Sequence, residues 1–517
     1  MSSADNAITA DSSRQRKLGV ILGYVNTAVQ TVVSFLYTPL LLGGIGQSEY
    51  GLYQIIGSLT AYINIFQSLL TASVLRFYCQ EKSEGDAEGM ETVLAVARRL
   101  YAACSCLVVV SAAAFAAFFQ TAYSATLTEG ELREGLAMLA IVCANIVVNM
   151  LFYTYSVVVQ GNERFVFAKL LELAGLVIQP VLVIVLIGGC PQAIVISVVQ
   201  LAVSLASCVV KRFYAVGRLR CRIRAHGPAR RMTRSMLGFS GIMFVSMVAD
   251  IVFAKTGQLL VGIAMSASAV AIFSVGYQVY QAYATLGRMV STVFVPHVTD
   301  LSKGGDPKGE LSRLWAKTGR VSAFILSTVL VVFGFFGEEF IGLWVGDGYG
   351  EAYLVAMIMM VAFVPDVVQA LGLTILQVVD KYAFRSAVYV LSALANVALS
   401  VPLIETLGIC GSAVASLIVL MVGSGVVMNV YYAKSVGLEV GGFWREVLST
   451  QRALPLVVVA GFGVRLIALP SAVATFLVHC ALLAVAALAA FYCLSMNDLE
   501  RGMVRGLGRR LAPKKGR

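Results

Sequence analysis

The sequence predicts an all-α polytopic membrane protein of about fourteen transmembrane helices. Three observations carry that reading. Hydrophobic residues fill 59% of the 517 positions and charged residues only 13%, about half the charged share of a soluble domain, and mean hydropathy is +0.84. The apolar residues fall in runs of about 20, the length of helix that crosses the hydrocarbon. Lys and Arg gather in alternate connections between those runs, as expected when basic loops stay on the cytoplasmic side.

Residues 1–17 are polar, end in Arg14, Arg16 and Lys17, and read as a cytoplasmic tail. The apolar run that follows is too long for a signal-peptide core and lacks a convincing cleavage site, so it is a retained first span. Spans follow at 18–42, 51–75, 100–119, 136–160, 166–189 and 191–211. The stretch Lys211 to Arg234 then carries nine Lys/Arg and no Asp or Glu. Beside membrane spans, such a block belongs at the anionic inner leaflet, which sets nucleic acid aside as a partner. Further spans are expected at 236–262, 268–294, 321–345, 352–377, 386–404, 409–433, 453–470 and 473–495. The expected organisation is an N-lobe at 18–211, a basic connector at 212–235 and a C-lobe at 236–433. A cytoplasmic loop with two further spans at 434–495 and a basic tail at 496–517 complete it.

The charges test the count. With both termini inside, the cytoplasmic segments collect nearly all of the 39 Lys/Arg, including Arg98, Arg99 and the run from Lys303 to Arg320. The outer loops hold Glu49, Glu129, Glu131, Glu134, Glu338, Glu339, Asp347, Glu351 and Glu405. One span too many or too few would invert every later loop and destroy this asymmetry.

The halves also match each other. Glu163-Arg164-Phe165-Val166-Phe167 follows the fourth span, and Asp380-Lys381-Tyr382-Ala383-Phe384 follows the tenth, 217 residues later. Cys190-Pro191-Gln192-Ala193-Ile194 and Cys410-Gly411-Ser412-Ala413-Val414 are 220 apart, as are Gly51-Leu52-Tyr53 and Ala271-Ile272-Phe273. Three matches in order argue for duplication of a six-span unit. Because six is even, the copies share one orientation and form a parallel pseudo-two-fold repeat.

Two six-span lobes plus two C-terminal spans resemble the multidrug/oligosaccharidyl-lipid/polysaccharide exporter superfamily. The stretch Gly43-Gly44-Ile45-Gly46-Gln47-Ser48-Glu49-Tyr50-Gly51-Leu52-Tyr53 resembles its polysaccharide-transport branch, the O-antigen and oligosaccharide-lipid flippases. Ser73 through Tyr78, the Gln160–Phe167 turn and Val275 through Pro296 add to the likeness. The resemblance implies a V-shaped pair of lobes around a cavity open alternately to each side. It also implies a polyprenyl-diphosphate-linked oligosaccharide as cargo, moved across the bacterial cytoplasmic membrane for surface polysaccharide biosynthesis. Anionic membrane lipids and polysaccharide-assembly proteins are the further candidate partners.

The residues support transport on their own account. The outer loops are short, and a phosphate-binding Walker loop, a His metal cluster and a Ser/His/Asp arrangement are all missing among only three His. The ten Cys are scattered without ligand spacing. No cofactor or metal is expected, and the residues point to transport without chemistry. A cation-coupled multidrug exporter of the same superfamily is the second reading. A membrane glycosyltransferase or glycan polymerase is the third.

Polar groups inside spans are the candidate site, because a charge in hydrocarbon costs at least about 2.5 kcal/mol on insertion scales. Asp250 and Lys255 lie deep in the seventh span, roughly 140° apart around the helix, and favour a cavity role. Lys255 is the expected diphosphate contact. Asp250 would offset its charge or carry a coupling proton. Arg288 and Arg76 suit either a cavity or snorkelling to inner headgroups. Asp366 follows Pro365 and suits either proton or sodium coupling or a kink. Lys169 and Glu172 suit a local pair. Tyr277, Tyr280 and Tyr283 with Gln278 and Gln281 suit either sugar stacking or ordinary packing, and Trp344 and Trp444 suit interfacial anchors. At an offset of 220, Asp250 maps onto Gln30 and Lys255 onto Phe35, so the first lobe lacks both charges.

Overall fold

The computed structural model describes residues 3–226, 229–301, 307–467, 470–496 and 501. Among them the secondary structure is helical throughout. In order the helices are α1 (Ser3–Glu84), α2 (Ala87–Ala122), α3 (Glu129–Gly161), α4 (Phe165–Ile187), α5 (Ile194–Gly217), α6 (Ala229–Ala264) and α7 (Ala267–Thr292). Then follow α8 (Val295–Leu301), α9 (Pro307–Val345), α10 (Gly350–Val368), α11 (Ala370–Val378), α12 (Tyr382–Leu407), α13 (Cys410–Val422) and α14 (Met428–Tyr431). The last three are α15 (Val440–Thr450), α16 (Leu454–Val464) and α17 (Ala472–Leu494).

Twelve helical stretches among the described residues are long and apolar enough to cross a membrane. The longest, Ile21–Glu84, contains the first two expected spans joined at Gly46, whose backbone is non-helical at φ 82 and ψ 175. A positive φ without a Cβ penalty is what glycine supplies. The expected eighth span is α7, too rich in Ser, Gln and Tyr to join the twelve. With that helix and the break at Gly46 counted, fourteen crossings are accommodated.

Boundaries differ from expectation at four places. The connector is shorter, because α5 runs on to Gly217 and α6 begins at Ala229. The loop expected from 434 to 452 is mostly the helix α15, whose Phe443 stacks on Trp315 at 3.8 Å. Trp444 is tied to Asn429 Oδ1 at 3.0 Å. The eleventh span, expected from 386, begins at Tyr382 as α12. Cys190 lies in the loop ahead of α5 while Cys410 opens α13, so that pair is not equivalent in structure. The expected loop around Gly304 and the tail beyond Arg501 lie outside the described residues.

The chain forms two compact units, 1–274 and 275–517. In the first, α6 packs along α1, and a Cβ on Gly51 would collide with the carbonyl of Ala267. Close backbone approach through small residues is the usual currency of helix packing in lipid. The loop side of α5 is capped from elsewhere in the unit. The Ala193 N–H donates to Glu49 at 2.8 Å and the Ile194 N–H to Glu134 at 3.0 Å, satisfying two of the donors a helix start leaves open. Within the unit Phe167 stacks on Tyr214 at 3.9 Å, clasping α4 to α5. Within the second unit Phe384 stacks on Tyr431 at 4.0 Å, clasping α12 to α14. Both rings of the second clasp follow those of the first by 217 residues.

Candidate functional site

Two polar nodes that include charged residues lie within the spans, one in each unit. In the first, Gln258 is the hub and is 2% exposed. Its Oε1 accepts from Ser58 Oγ at 2.6 Å and from Lys255 Nζ at 3.4 Å, and its Nε2 donates to Ser274 Oγ at 3.1 Å. Tyr62 and Thr256 share a further bond at 2.7 Å. These contacts join α1, α6 and α7 with both ends of the Gln258 amide engaged, as a buried polar cluster requires. Lys255 therefore sits half-buried at the rim of a rigid polar node. Asp250, on the same helix, is exposed, and so is Arg76 on α1.

In the second unit the hub is Asp366. Pro365 stands near the end of α10, and the helix bends at Gln369 (φ −88, ψ 7) before α11 resumes it. The carboxylate accepts from Arg288 Nη2 at 3.4 Å, Tyr389 Oη at 2.9 Å and Ser424 Oγ at 3.4 Å. Asp366 thus engages side chains at the bend, with the Arg288 side chain 50% exposed and its own 7%. The guanidinium of Arg385 lies 4.1 Å over the Tyr389 ring and donates to Tyr382 at 2.6 Å. Ser424 stands in a π-helical segment, Gly423–Val427, which interrupts the helix begun by α13. Such bulges re-aim side chains at functional sites. A residual cavity of about 10 Å³ remains beside Asp366, room for about one water.

Tyr277 is buried and accepts from Gln281 Nε2 at 3.0 Å, and Tyr280 packs on Phe363 at 4.3 Å. That is a packed aromatic layer with one exposed amide, Gln281. The structure thus joins Arg288 to Asp366 and Tyr277 to Gln281, and gives Lys255 a separate partner. Lys169 and Glu172 form the local pair at 2.7 Å.

Sequence reasoning passes over Gln258, Tyr389, Arg385 and Ser424. An eleventh span starting at 386 leaves Arg385 among the cytoplasmic charges, whereas α12 already contains it. An amide in mid-span, as at Gln258, is the signal that attention to full charges obscures.

The family model described as polysaccharide biosynthesis protein matches residues 45–354. Among solved structures the chain is similar to the lipid II flippase MurJ in an inward closed conformation. The TM-score is 0.73 and the identity 14%, covering 94% of this chain and 100% of that one. It is also similar to an inward-facing multidrug resistance MATE family transporter of the MOP superfamily, with TM-score 0.64 and 12% identity over 78% of this chain and 96% of that one. A Vibrio cholerae MATE transporter follows with TM-score 0.56 and 13% identity over 83% of this chain and 99% of that one. No curated protein sequence matches. At these identities the structural likenesses define the fold.

Proposed function

The chain belongs to the polysaccharide biosynthesis protein family, and from that premise we propose that it is a flippase of lipid-linked oligosaccharide. It would carry a polyprenyl-diphosphate-linked glycan from the cytoplasmic to the outer leaflet of a bacterial cell membrane, by alternating access and without covalent chemistry. The observation that carries the reading is Lys255. A half-buried ammonium on a buried, hydrogen-bonded node is a preorganised partner for a diphosphate. Its 3.4 Å bond to Gln258 is long enough to yield to a phosphate oxygen, which offers a shorter charge-assisted bond. Asp250, five residues before it, offsets that charge when no cargo is bound. A buried acid engaged by three donors at Asp366 suits ion or proton coupling, the part a cation-coupled drug exporter also needs.

A deletion strain tests the proposal. Lipid-linked glycan should accumulate on the cytoplasmic leaflet and surface polysaccharide should fall. Lys255→Ala should insert and accumulate normally without restoring surface glycan, and Lys255→Arg should restore part of it. Asp250→Asn should impair transport more than Asp366→Asn. Normal surface glycan with new sensitivity to cationic drugs would replace this reading with the exporter. Transfer from a nucleotide-sugar donor by the purified protein would replace it with a glycosyltransferase.

A further inference from the structure

We propose that the crevice between α3, α4 and α5 binds the singly charged phosphodiester headgroup of an anionic glycerophospholipid. The crevice encloses about 340 Å³, within the range of small-ligand sites. Gln160 from the end of α3, Lys169 and Glu172 from the first turns of α4, and Ser207 and Lys211 from the end of α5 line it. All five stand at the membrane end that the charge asymmetry assigns to the cytoplasm.

Three features make this a site and not a packing defect. The first is unspent polarity. A helix serine can discharge its hydroxyl onto the carbonyl four residues back, as Ser58 of α1 and Ser105 of α2 do. The side chains of Gln160, Ser207 and Lys211 make no hydrogen bond or ion pair among the described residues, although they converge on one space.

The second is charge balance. Lys169 and Glu172 neutralise each other at 2.7 Å, which leaves Lys211 as the uncompensated charge. One phosphodiester balances one ammonium, and hydroxyl and amide groups remain for the glycerol of the headgroup. A headgroup with its own ammonium would place a second cation beside Lys169. A diphosphate would bring more negative charge than the crevice neutralises. The crevice also opens beside exposed apolar side chains, Leu170 of α4 and Val210 and Phe213 of α5, along which acyl chains can lie.

The third feature is the internal counterpart. Moved by the 217-residue offset of the ring clasps, the crevice coincides with the small cavity beside Asp366 in the second unit. There Arg385 and Tyr432 fill the space; their equivalents in the first unit are Ala168 and Ala215. Lys211 corresponds to Met428. The duplicated fold thus closes one copy with its own side chains and leaves the other open at about 340 Å³ instead of about 10 Å³.

Purified full-length protein, stripped of lipid in detergent, is mixed with dioleoyl phosphatidylglycerol and examined by native mass spectrometry and thermal unfolding. Wild type should retain one tightly held lipid and unfold at a higher temperature with it. Lys211→Met, which installs the residue of the second copy and removes the ammonium, and Ala168→Leu, which fills the crevice without adding a cation, should each weaken retention by about tenfold or more. Their lipid-free unfolding temperatures, measured alongside, should match wild type. The Phe167–Tyr214 clasp is untouched in both, and either variant with a wild-type lipid-free unfolding temperature decides the site by itself. Equal retention by wild type and both variants would overturn the site. Equal stabilisation by soluble glycerophosphate would overturn the lipid assignment. Tighter binding of undecaprenyl diphosphate, lost in the same variants, would assign the crevice to cargo and overturn it too.

Discussion

Glu163 and Asp380, 217 residues apart, hold the same left-handed backbone conformation, with φ 56 and φ 55. Each ends one helix and turns the chain into the next. The N–H of Arg164 reaches Val159 O at 3.1 Å, and that of Lys381 reaches Leu376 O at 2.9 Å, both across five residues as in a Schellman cap. The ring clasps recur at the same spacing, with interplanar angles of 13° and 15°. The duplication read from the sequence therefore survives as two copies of one turn and one clasp.

Both turns should respond alike to substitution. A left-handed residue with a branched Cβ costs roughly 1–2 kcal/mol, whereas Asn adopts that conformation readily. Glu163→Val and Asp380→Val should each lower the thermal midpoint in detergent. Glu163→Asn and Asp380→Asn should stay near wild type. A midpoint unchanged by either Val substitution would show that the turn stores no strain there.

Asp366 and Arg288 should be unequal partners. Removing the carboxylate leaves the buried Tyr389 and Ser424 hydroxyls without their acceptor, at about 1–3 kcal/mol. Removing the guanidinium frees one half-exposed bond at 3.4 Å, and an exposed pair is worth about 0–1 kcal/mol. Asp366→Ala should therefore unfold at a clearly lower temperature than Arg288→Ala, with Asp366→Asn between wild type and Asp366→Ala. The reverse order would mean that Arg288 holds the bend at Gln369 by contacts other than this bond.

How far the site was legible follows from what each residue signals on its own. Lys255 and Asp366 stand out because a charge in an apolar run is costly wherever the helix turns. Their partners do not. Gln258, Tyr389 and Ser424 are ordinary membrane residues until tertiary packing sets them around an acceptor. The π-helical segment at Gly423–Val427 leaves no mark on hydrophobic periodicity, yet it belongs to the helix that brings Ser424 to Asp366. The polytopic helical class was legible because hydropathy is additive over whole spans. The break at Gly46 and the helix α15 were less so, since one is set by a single backbone angle and the other by an amphipathic surface too short to cross a membrane.

The start of α5 should depend on two glutamates remote in sequence. Ala193 and Ile194 are poor caps of their own helix, and Glu49 and Glu134 replace a cap by accepting from their N–H groups. Loss of an N-cap acceptor costs about 0.5–2 kcal/mol. Glu49→Ala and Glu134→Ala should each lower the thermal midpoint, while the Gln variants, which keep an acceptor, should lose less. Ala variants with wild-type midpoints would mean that solvent or headgroups cap α5 equally well.

Cys221 offers a test of orientation that carries its own chemical signature. It lies in the connector just after α5, where its N–H donates to Ala215 O at 3.0 Å. Burial, with the carboxylate of Glu91 nearby, pushes its thiol up to about 11. Only the thiolate attacks maleimide, so near neutral pH about one molecule in ten thousand is reactive at any instant. In a variant retaining Cys221 alone, labelling after permeabilisation should be slow and should rise about tenfold per pH unit while pH stays below the thiol's value. Glu91→Gln removes a charge that disfavours the thiolate, lowers that value, and should speed labelling at fixed pH. A lone Cys introduced at Gly217 should react faster at the same pH. An impermeant maleimide in intact cells should reach neither position but should reach a Cys introduced at Glu131 or Gly346. Labelling from outside at Cys221, or at the Cys introduced in place of Gly217, would invert the orientation, and with it the cytoplasmic placement of the α3–α4–α5 crevice.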